Sequence, residues 1–363
     1  MILSKYPRVV QNEIFNHLNY SDLFLLSFVS TNMKKLIKSS QMKRFKAIGS
    51  IEYGTYFTEQ TGVYILGKSF GKLMRFREKD AGYYDFQLNV FGKMIDFRFR
   101  GYYDGSERGY YSIFVVYYPK SERQCVFESI HNYLHDFFGD SIDYVWKTDD
   151  RGSEYYIPFI PQLKNISLCI TLRLDDDFAD MKNLETFLSS SPIMRSIQMT
   201  AKSTAEPFNP ESKLYQAQSI EIFQSDHTFP AFLSHFQGKQ AFIGCLKCDV
   251  LDLIAFVKKW KSGETFRALE YLKIGVYEEH ISQNEVLQEI GAKAIDAAKQ
   301  PPTHTLPKIY DWEDLGPKTD PIISHTYVVR ESDNRVASVL IEEDRLSFGV
   351  WDKTEEEFLR LMN

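Results

Sequence analysis

Apolar residues recur at helical intervals in three short bursts within the first 37 residues of the chain. In the first burst, Pro7 suits the opening turn of a helix, and Val10, Ile14 and Leu18 repeat every four residues along one stripe. A segment this short cannot bury a core alone. The pattern therefore predicts helices whose apolar face needs a partner.

The second and third bursts have the same character. Residues 23–29 are apolar almost all round, and Ser21 and Asp22 are placed to cap a second helix. Ser30 is placed to cap a third helix, whose apolar residues are Met33, Leu36 and Ile37. Such a segment either packs as a helical cap on its own domain or offers an apolar face to another protein, and the spacing favours the second.

This segment closely resembles the F-box. The resemblance rests on the entry proline, the spacing of the apolar positions, and the Asp-Leu and Val-Ser pairs. The matching residues are Pro7, Val9, Val10, Ile14, Leu18, Asp22, Leu23, Leu26, Val29, Ser30, Leu36 and Ile37. It implies contact with a Skp-type adaptor through apolar side chains, for which we expect Pro7, Val10, Ile14, Leu18, Leu23, Leu26, Val29, Met33 and Ile37.

The F-box resemblance also implies a function. The adaptor tethers an F-box protein to a cullin–RING ubiquitin ligase, so this chain is expected to be the subunit that chooses which protein is ubiquitinated. It would hold a protein substrate, which the sequence does not identify, and would do no chemistry and need no cofactor. A non-catalytic scaffold or binding protein, whose F-box pairs with the adaptor outside a ligase, is the alternative.

Beyond residue 47 the apolar period changes twice. Alternation predicts strands over 83–91, 94–99 and 110–118 in a β-rich segment. A helix is predicted over 121–138, and strands then alternate with helices, notably over 181–188, 229–236 and 250–261. One apolar position per strand, taken as Tyr144, Leu168, Ile197, Ile220, Ile243 and Leu272, gives successive gaps of 24, 29, 23, 23 and 29 residues.

Gaps of this size match the period of about 20–29 residues in leucine-rich repeats, in which each unit pairs a strand with a helix. A doubly wound sheet is the rival interpretation. The predicted fold is α+β or α/β, with a three-helix F-box, a β-rich middle layer and a degenerate leucine-rich-repeat-like solenoid that ends in a hairpin. The predicted domains are the F-box at 1–47, the β-rich segment at 48–120, the repeats at 121–300, and the linker, hairpin and short helix at 301–363.

Two stretches resemble the F-box-associated domain (type 2) of nematode-type F-box proteins. One runs from Leu251 through Trp260 and Gly263 to Ile274, and the other from Tyr327 to Trp351. The residues by themselves predict a helix with a buried stripe ended by Gly263, then a hairpin around Asp333-Asn334. A final helix is predicted behind the capping box of Thr354 and Glu357.

In a repeat fold, the strand residues opposite the buried set line an open face. By this alternation we expect the protein substrate to contact Arg173, Gln198, Glu221, Phe223, Tyr271 and Lys273. The two aromatic residues among them are the expected anchors, because exposed aromatic side chains dominate interface energy.

Composition adds an asymmetry of charge. The 363 residues are 44% hydrophobic with a net charge of −6, yet residues 1–50 carry eight Lys or Arg and two acidic residues. No aromatic platform on which bases could stack is interleaved with these basic residues. They are mainly Lys34, Lys35, Lys38, Lys43, Arg44 and Lys46. A solvated helix face, or a rim for an acidic partner, is therefore favoured over a nucleic-acid site. The absence of a signal-peptide pattern and of an apolar run of about 20 residues predicts a cytosolic or nuclear protein without a membrane partner.

Three short motifs could carry chemistry, and none is complete. His131 and His135 have zinc-ligand spacing, but no third ligand follows, so an exposed helical pair is expected. Cys245 and Cys248 lack a second pair, and Cys245 is expected in the core. The acidic run 175–177 lacks the rest of a calcium loop and is expected at a helix start. We therefore predict no catalytic residue and no metal site.

Overall fold

The computed structural model describes the chain over residues 5–54, 61–67, 71–78, 84–103, 110–148, 160–174, 181–192, 194–201, 209–224, 229–278, 280–311 and 316–362. Its contacts divide the chain into two compact units. Unit 1 comprises Met1–Arg151 with Pro158–Ser167, and unit 2 comprises Gly152–Ile157 with Leu168–Asn363.

Unit 1 contains four α-helices in its described part, which are α1 (Arg8–His17), α2 (Tyr20–Ser27), α3 (Thr31–Phe45) and α4 (Arg123–Phe138). Its described strands are β1 (Ile48–Gly54), β2 (Gly62–Gly67), β3 (Gly71–Glu78), β4 (Phe86–Val90), β5 (Lys93–Tyr103), β6 (Tyr110–Tyr118) and β7 (Asp143–Lys147). They form a mixed sheet in the order β7-β1-β2-β3-β6-β5-β4. β1 runs parallel to β7 and β3 parallel to β6, while the other neighbours are antiparallel.

The caps of the N-terminal helices explain where they begin. Ser30 caps α3 as predicted, because its hydroxyl accepts a hydrogen bond from the Met33 amide at 3.0 Å. The predicted cap of α2 at Ser21 or Asp22 is wrong. Asn19 caps this helix by accepting from the Asp22 amide at 2.8 Å, and Ser21 instead donates to the carbonyl oxygen of Lys72 in β3 at 2.8 Å.

A cluster of aromatic rings fixes α2 against α4. The Phe24 ring, buried in α2, lies 5.5 Å from the ring of Tyr133 and 5.9 Å from that of Phe137, both nearly edge-on. Phe28 stacks on Tyr133 at 4.1 Å, and the Ser27 and Tyr133 hydroxyls are 2.9 Å apart. Contacts thus place α4 in unit 1 with the N-terminal helices, whereas the sequence division assigns it to the repeats.

Unit 2 begins with a strand–helix alternation. Its first described elements are β8 (Ser167–Leu174), α5 (Met181–Ser190), β9 (Ser196–Ala201), β10 (Ser219–Gln224), α6 (Phe229–His235), β11 (Gln240–Cys245), α7 (Val250–Ser262) and β12 (Tyr271–Val276). The remaining elements are α8 (Gln283–Glu289), β13 (Lys293–Ala294), β14 (Thr303–His304), β15 (Ile322–Ile323), β16 (Thr326–Val329), β17 (Arg335–Glu342), β18 (Arg345–Thr354) and α9 (Glu355–Arg360).

The strands of unit 2 pair in the order β8-β9-β10-β11-β12-β18-β17-β16-β13. β8 to β12 are parallel and follow one another in chain order without a reversal, whereas a doubly wound sheet reverses its strand order. α5 contacts the 3-10 helix Lys213–Gln216, whose Tyr215 ring lies 5.9 Å from that of Phe232 in α6. α6 contacts α7, and α7 contacts α8. This order is the one that strand–helix repeats require, and the leucine-rich-repeat-like interpretation stays a prediction.

α7 packs on one face of the unit 2 sheet. Trp260 of α7 is fully buried, and its ring lies 5.0 Å from that of Phe348 in β18. Phe348 is paired with Leu272 of β12, so both point to the helix-covered face. The alternate residues of the parallel strands, such as Lys273, therefore point to the opposite face.

The C-terminal predictions are confirmed. β16 and β17 are antiparallel and flank Asn334, whose φ of 58° lies in the left-handed region that a tight turn requires. Gly263 ends α7 with a φ of 75°. The hydroxyl of Thr354 accepts from the Glu357 amide, and the Glu357 carboxylate accepts from the Thr354 amide, which completes the capping box of α9.

Candidate functional site

The exposed apolar residues of the N-terminal helices form the first candidate site. Val9 is 79% exposed in the first turn of α1, and Val29 is 68% exposed between α2 and α3. Val10 and Pro7 are exposed as well. We call these four residues the docking face. Burying such side chains against a partner removes apolar surface from water, which is the main favourable contribution to association.

The nine residues predicted to contact an adaptor separate into three groups. Pro7, Val10 and Val29 are exposed and available to a partner. Ile14, Leu18, Leu26 and Met33 are half-buried.

The third group consists of Leu23 and Ile37, for which the structure contradicts a direct contact with an adaptor. Leu23 and Ile37 are 0% exposed, because their side chains complete the interior of unit 1. They support the docking face from beneath. Val9, which the contact set omits, is its most exposed member.

Half of the basic cluster is used within unit 1. Lys34 forms an ion pair with Asp136 of α4 and places its ammonium 3.8 Å from the centre of the Tyr133 ring. Burial raises the pKa of Asp136, but the hydrogen bond and charge of Lys34, together with Lys38, outweigh it and hold that pKa below its usual value. Arg44 donates to the carbonyl oxygen of Leu18 at 2.7 Å.

The rest of the basic cluster stays at the surface. Lys35, Lys43 and Lys46 are exposed and have no ion-pair partner among the described residues. Lys35 and Lys46 border a pocket of about 420 Å³ whose floor consists of Phe45, Phe137 and Phe138. This arrangement is compatible with the interpretation of the cluster as a rim for an acidic partner.

The second candidate site lies on the open face of the parallel strands in unit 2. The β-ladder sets Gln198, Glu221, Phe242 and Lys273 in one row across β9 to β12. Two residues further along the strands, Phe223, Gly244 and Gly275 form the next row. Residues of the two rows point to the same side because side chains alternate along a strand.

A pocket of about 220 Å³ opens on this face, and we call it the strand-face pocket. Its aromatic lining residues are Phe223, Phe242, Tyr277 and Tyr310. Its charged lining residues are Glu221, Lys273, Lys308, Asp311, Lys318 and Asp320. Ile243, Gly244 and Gly275 complete it.

Two ion pairs order the charged part of the pocket. The Lys273 ammonium lies 2.5 Å from a carboxylate oxygen of Asp320, and that of Lys308 lies 2.9 Å from one of Asp311. The second pair is the more buried, and the Asp311 carboxylate also accepts from the Gly316 amide at 2.9 Å. The Lys273–Asp320 pair thereby ties residues 316–323 to β12, and the contacts of Asp311 order its own segment.

The structure brings together three of the six predicted substrate-contact residues. Glu221, Phe223 and Lys273 line the strand-face pocket. Gln198 is half-buried in the adjacent strand and does not line it. The side chain of Arg173 lies outside the described part of the structure.

The expectation that Tyr271 is an exposed anchor is wrong. Its side chain is 0% exposed, and residues of the segments 303–311 and 316–323 contact it. The His304 ring stacks on it at 6.4 Å, and its hydroxyl donates to the carbonyl oxygen of Asp320 at 3.4 Å. Burial raises the pKa of the Tyr271 hydroxyl well above its ordinary value.

Sequence reasoning missed the other half of the pocket. Phe242 lies on the strand-face side by the same alternation that selected Glu221, so this signal was present in the sequence. Tyr310, Lys318 and Asp320 belong to a Pro-containing stretch that was assigned to a linker. No local pattern shows that such a stretch folds back onto strands that precede it by some 40 to 90 residues.

The histidine pair is not the exposed pair that we expected. His131 is buried, its Nδ1 lies 2.9 Å from the Tyr53 hydroxyl, and its Nε2 lies 2.7 Å from the carbonyl oxygen of Lys164. In the neutral ring, Nε2–H donates to the carbonyl and Nδ1 accepts from the hydroxyl, so both nitrogens are used. Burial lowers the pKa of His131, which favours this neutral form.

The cysteine and acidic motifs have structural roles or cannot be assigned. Cys245 ends β11 in the core, as expected, and all four cysteines are free thiols. The hydrogen bond with Cys245, together with burial, raises the pKa of the Cys248 thiol. The run 175–177 lies outside the described residues. Within the described ranges, no group of three or more potential metal ligands comes together.

Comparison with known proteins identifies the first site. Residues 7–45, which span α1 to α3, match the F-box domain. An F-box binds a Skp-type adaptor, and proteins that carry one usually serve as substrate receptors of cullin–RING ubiquitin ligases and are generally not enzymes. No curated protein and no solved structure matches the chain. No helix in the described residues is both long and apolar enough to cross a membrane.

Proposed function

We propose that this protein is the substrate-recognition subunit of a Skp–cullin–F-box ubiquitin ligase that acts in the cytosol or nucleus. The observation that carries the proposal is the F-box at residues 7–45, whose valines remain exposed while its core is buried in unit 1. A segment that is folded and still displays apolar side chains is prepared for a partner.

The two candidate sites have different binding partners in this proposal. In our proposal the docking face binds the adaptor, and the strand-face pocket of unit 2 binds the target protein. Glu221, Phe223 and Lys273 are the predicted contacts that line this pocket. A concave site lined by aromatic and charged side chains can supply both affinity and specificity.

We also propose that unit 2 is a leucine-rich-repeat-like F-box-associated domain of the nematode type (type 2). Two features support this assignment. α7 with buried Trp260 is followed directly by β12, as in the first resembling stretch. Trp351 lies in β18, at the end of the second.

Reconstitution of the ligase tests the proposal. The full-length chain should co-purify with a Skp-type adaptor and a cullin, and the assembly should transfer ubiquitin to proteins that bind unit 2. Candidate targets would come from affinity purification with mass spectrometry in cells whose proteasome is blocked.

A scaffold would give a different result. It would bind the adaptor without recruiting the cullin, and its bound proteins would remain unmodified. Failure to bind any Skp-type adaptor would refute both functions.

A further inference from the structure

We propose that the strand-face pocket takes one neutral aromatic side chain, tryptophan or tyrosine, from the target protein. This inference rests on the proposed function, because it describes how the target is recognised. Five properties of the pocket carry it: its volume, its balance of charge, its aromatic walls, its glycine floor and its polar rim.

The volume limits the occupant to a single side chain. The pocket measures about 220 Å³. A cavity of about 150 Å³ is sufficient for benzene, whereas sites for cofactors and drug-sized ligands measure about 300–1,000 Å³. The strand-face pocket therefore fits one ring with a small polar addition, and it is too small for a nucleotide or a comparable cofactor.

The charges of the lining cancel. The lining contains three lysines and three carboxylates, which are Glu221 and two aspartates, so its formal net charge is zero. Two of these lysines already pair with the two aspartates, Asp320 and Asp311. The lining as a whole therefore carries no excess charge of either sign that would favour an acidic or a basic side chain.

The walls favour a flat ring. Phe223 is 40% exposed and Tyr277 is 65% exposed, so both keep apolar surface that a ligand can cover. Phe242 and Tyr310 complete the aromatic lining. Aromatic rings pack on one another in offset or edge-to-face arrangements, so an incoming ring can bury these surfaces.

Two neighbouring glycines provide the space. A methyl group at Gly244 would lie 2.9 Å from the Phe223 ring and 3.1 Å from the Tyr277 ring, so both rings rest close to bare backbone. A methyl group at Gly275, paired with Gly244 across β11 and β12, would have no atom within 4 Å. The free volume of the pocket therefore begins above Gly275.

The polar rim selects among aromatic residues. A tryptophan N–H or a tyrosine O–H usually needs a hydrogen-bond partner when it is buried. The carboxylates of Glu221, Asp311 and Asp320 lie in the lining and can accept such a bond. Phenylalanine has no group to offer them, so we expect it to bind more weakly than tryptophan or tyrosine.

The first test uses the full-length chain and small neutral probes. N-acetyl-tryptophanamide and N-acetyl-tyrosinamide should bind with dissociation constants on the order of 0.1–1 mM, measured by ligand-observed NMR. Gly275→Leu should weaken binding of both probes at least tenfold, because the new side chain grows into free space without a clash. If the charged analogues N-acetyl-lysinamide or N-acetyl-aspartamide bind as well, or if Gly275→Leu leaves binding unchanged, the proposal is wrong.

Two further variants provide a second test of the pocket and a control. Tyr277→Ala removes an exposed wall and should also weaken the tryptophan probe severalfold, so a folding defect of Gly275→Leu would leave the proposal testable. Leu251→Ala changes a side chain on α7 that is 65% exposed, the same fraction as Tyr277, and should leave probe binding unchanged. Equal weakening by Leu251→Ala would assign the effect to general surface changes and overturn the pocket.

The proteins that co-purify with each variant distinguish a failure of this inference from a failure of the proposed function. Gly275→Leu should lose the target while it keeps the adaptor, because the docking face lies in unit 1. If Gly275→Leu keeps both, the pocket is not the recognition site, although the receptor function survives. If the wild-type chain binds the aromatic probes but no adaptor, the receptor function fails and the pocket chemistry stands.

Discussion

Val29 offers the sharpest test of the docking face because it can be changed without disturbing the fold. Its side chain is 68% exposed at the junction of α2 and α3, just before the cap residue Ser30. Substitutions at such exposed positions usually change the free energy of unfolding by no more than about 0.5 kcal/mol. An aspartate here would lie near the N-terminus of α3, where negative charge is favourable.

The expected loss of affinity follows from the exposed fraction. Full burial of an aliphatic side chain contributes about 1.5–3 kcal/mol, so about two-thirds of a valine leaves about 1–2 kcal/mol to be gained on docking. An aspartate forfeits this gain and also loses hydration in an apolar contact, which adds about 1–3 kcal/mol. Since about 1.4 kcal/mol is a factor of ten, Val29→Asp should weaken adaptor binding at least about 30-fold.

Calorimetric titration of the full-length chain with a purified Skp-type adaptor measures this effect, with thermal unfolding recorded in parallel. Leu251→Asp is the matched control, because Leu251 is 65% exposed but lies on α7 of unit 2. It should bind the adaptor with wild-type affinity. If Val29→Asp stays within about threefold of wild type, the docking face does not include Val29 and our reasoning from exposure is refuted.

Leu23 provides the opposite case. It is 0% exposed, so Leu23→Ala should lower the free energy of unfolding by about 2–5 kcal/mol through loss of packing. Its effect on adaptor binding should disappear once the affinity is corrected for the folded fraction. A specific loss of affinity in a fully folded Leu23→Ala protein would show that Leu23 becomes exposed to the adaptor after all.

Two further predictions concern the helices of unit 1. Asn19→Ala removes the cap of α2 and should lower the free energy of unfolding by about 0.5–2 kcal/mol in chemical denaturation, while Asn19→Asp should retain the cap; equal stability of all three proteins would contradict the capping role. Burial lowers the pKa of His131 in the folded state, whereas histidine in the unfolded chain has a pKa of about 6.5. Below that pH the unfolded chain therefore binds more protons than the folded protein. The contribution of neutral His131 to the free energy of unfolding is thus complete above about pH 6.5 and is lost as the pH falls. His131→Asn should therefore lose less stability than wild type between pH 7.5 and 5.5, and an unchanged pH dependence in His131→Asn would show that another group is responsible.

Local patterns predicted the features whose causes are local. The Ser30 cap, the end of α7 at Gly263 and the capping box of Thr354 and Glu357 each depend on residues within one turn. The F-box spacing is of the same kind, because it records which positions are apolar. Spacing does not record which apolar residues face inward, however, so Leu23 was predicted as a contact and Val9 was left out.

Features that depend on distant segments were not predictable in this way. Tyr271 alternates correctly for the open face, yet it is buried there, with His304 stacked on its ring and Asp320 hydrogen-bonded to its hydroxyl. His131 lies on a helix with an apparent metal-ligand spacing, but its Nε2–H donates a hydrogen bond to the carbonyl oxygen of Lys164, 33 residues away. In both cases the deciding partner comes from a segment with little periodic pattern of its own.

The same contrast separates the two candidate sites. The docking face comes from one continuous segment of 39 residues at positions 7–45, so its spacing must be kept as a whole. The strand-face pocket takes Glu221, Gly244, Gly275 and Asp320 from four segments, which are joined by backbone pairing of the strands and by the Lys273–Asp320 ion pair. Because strand register depends on the buried face, a substitution on the open face changes one wall of the pocket without moving the others. In our proposal, single side chains on the open face can therefore alter target choice while the contact with the adaptor remains intact.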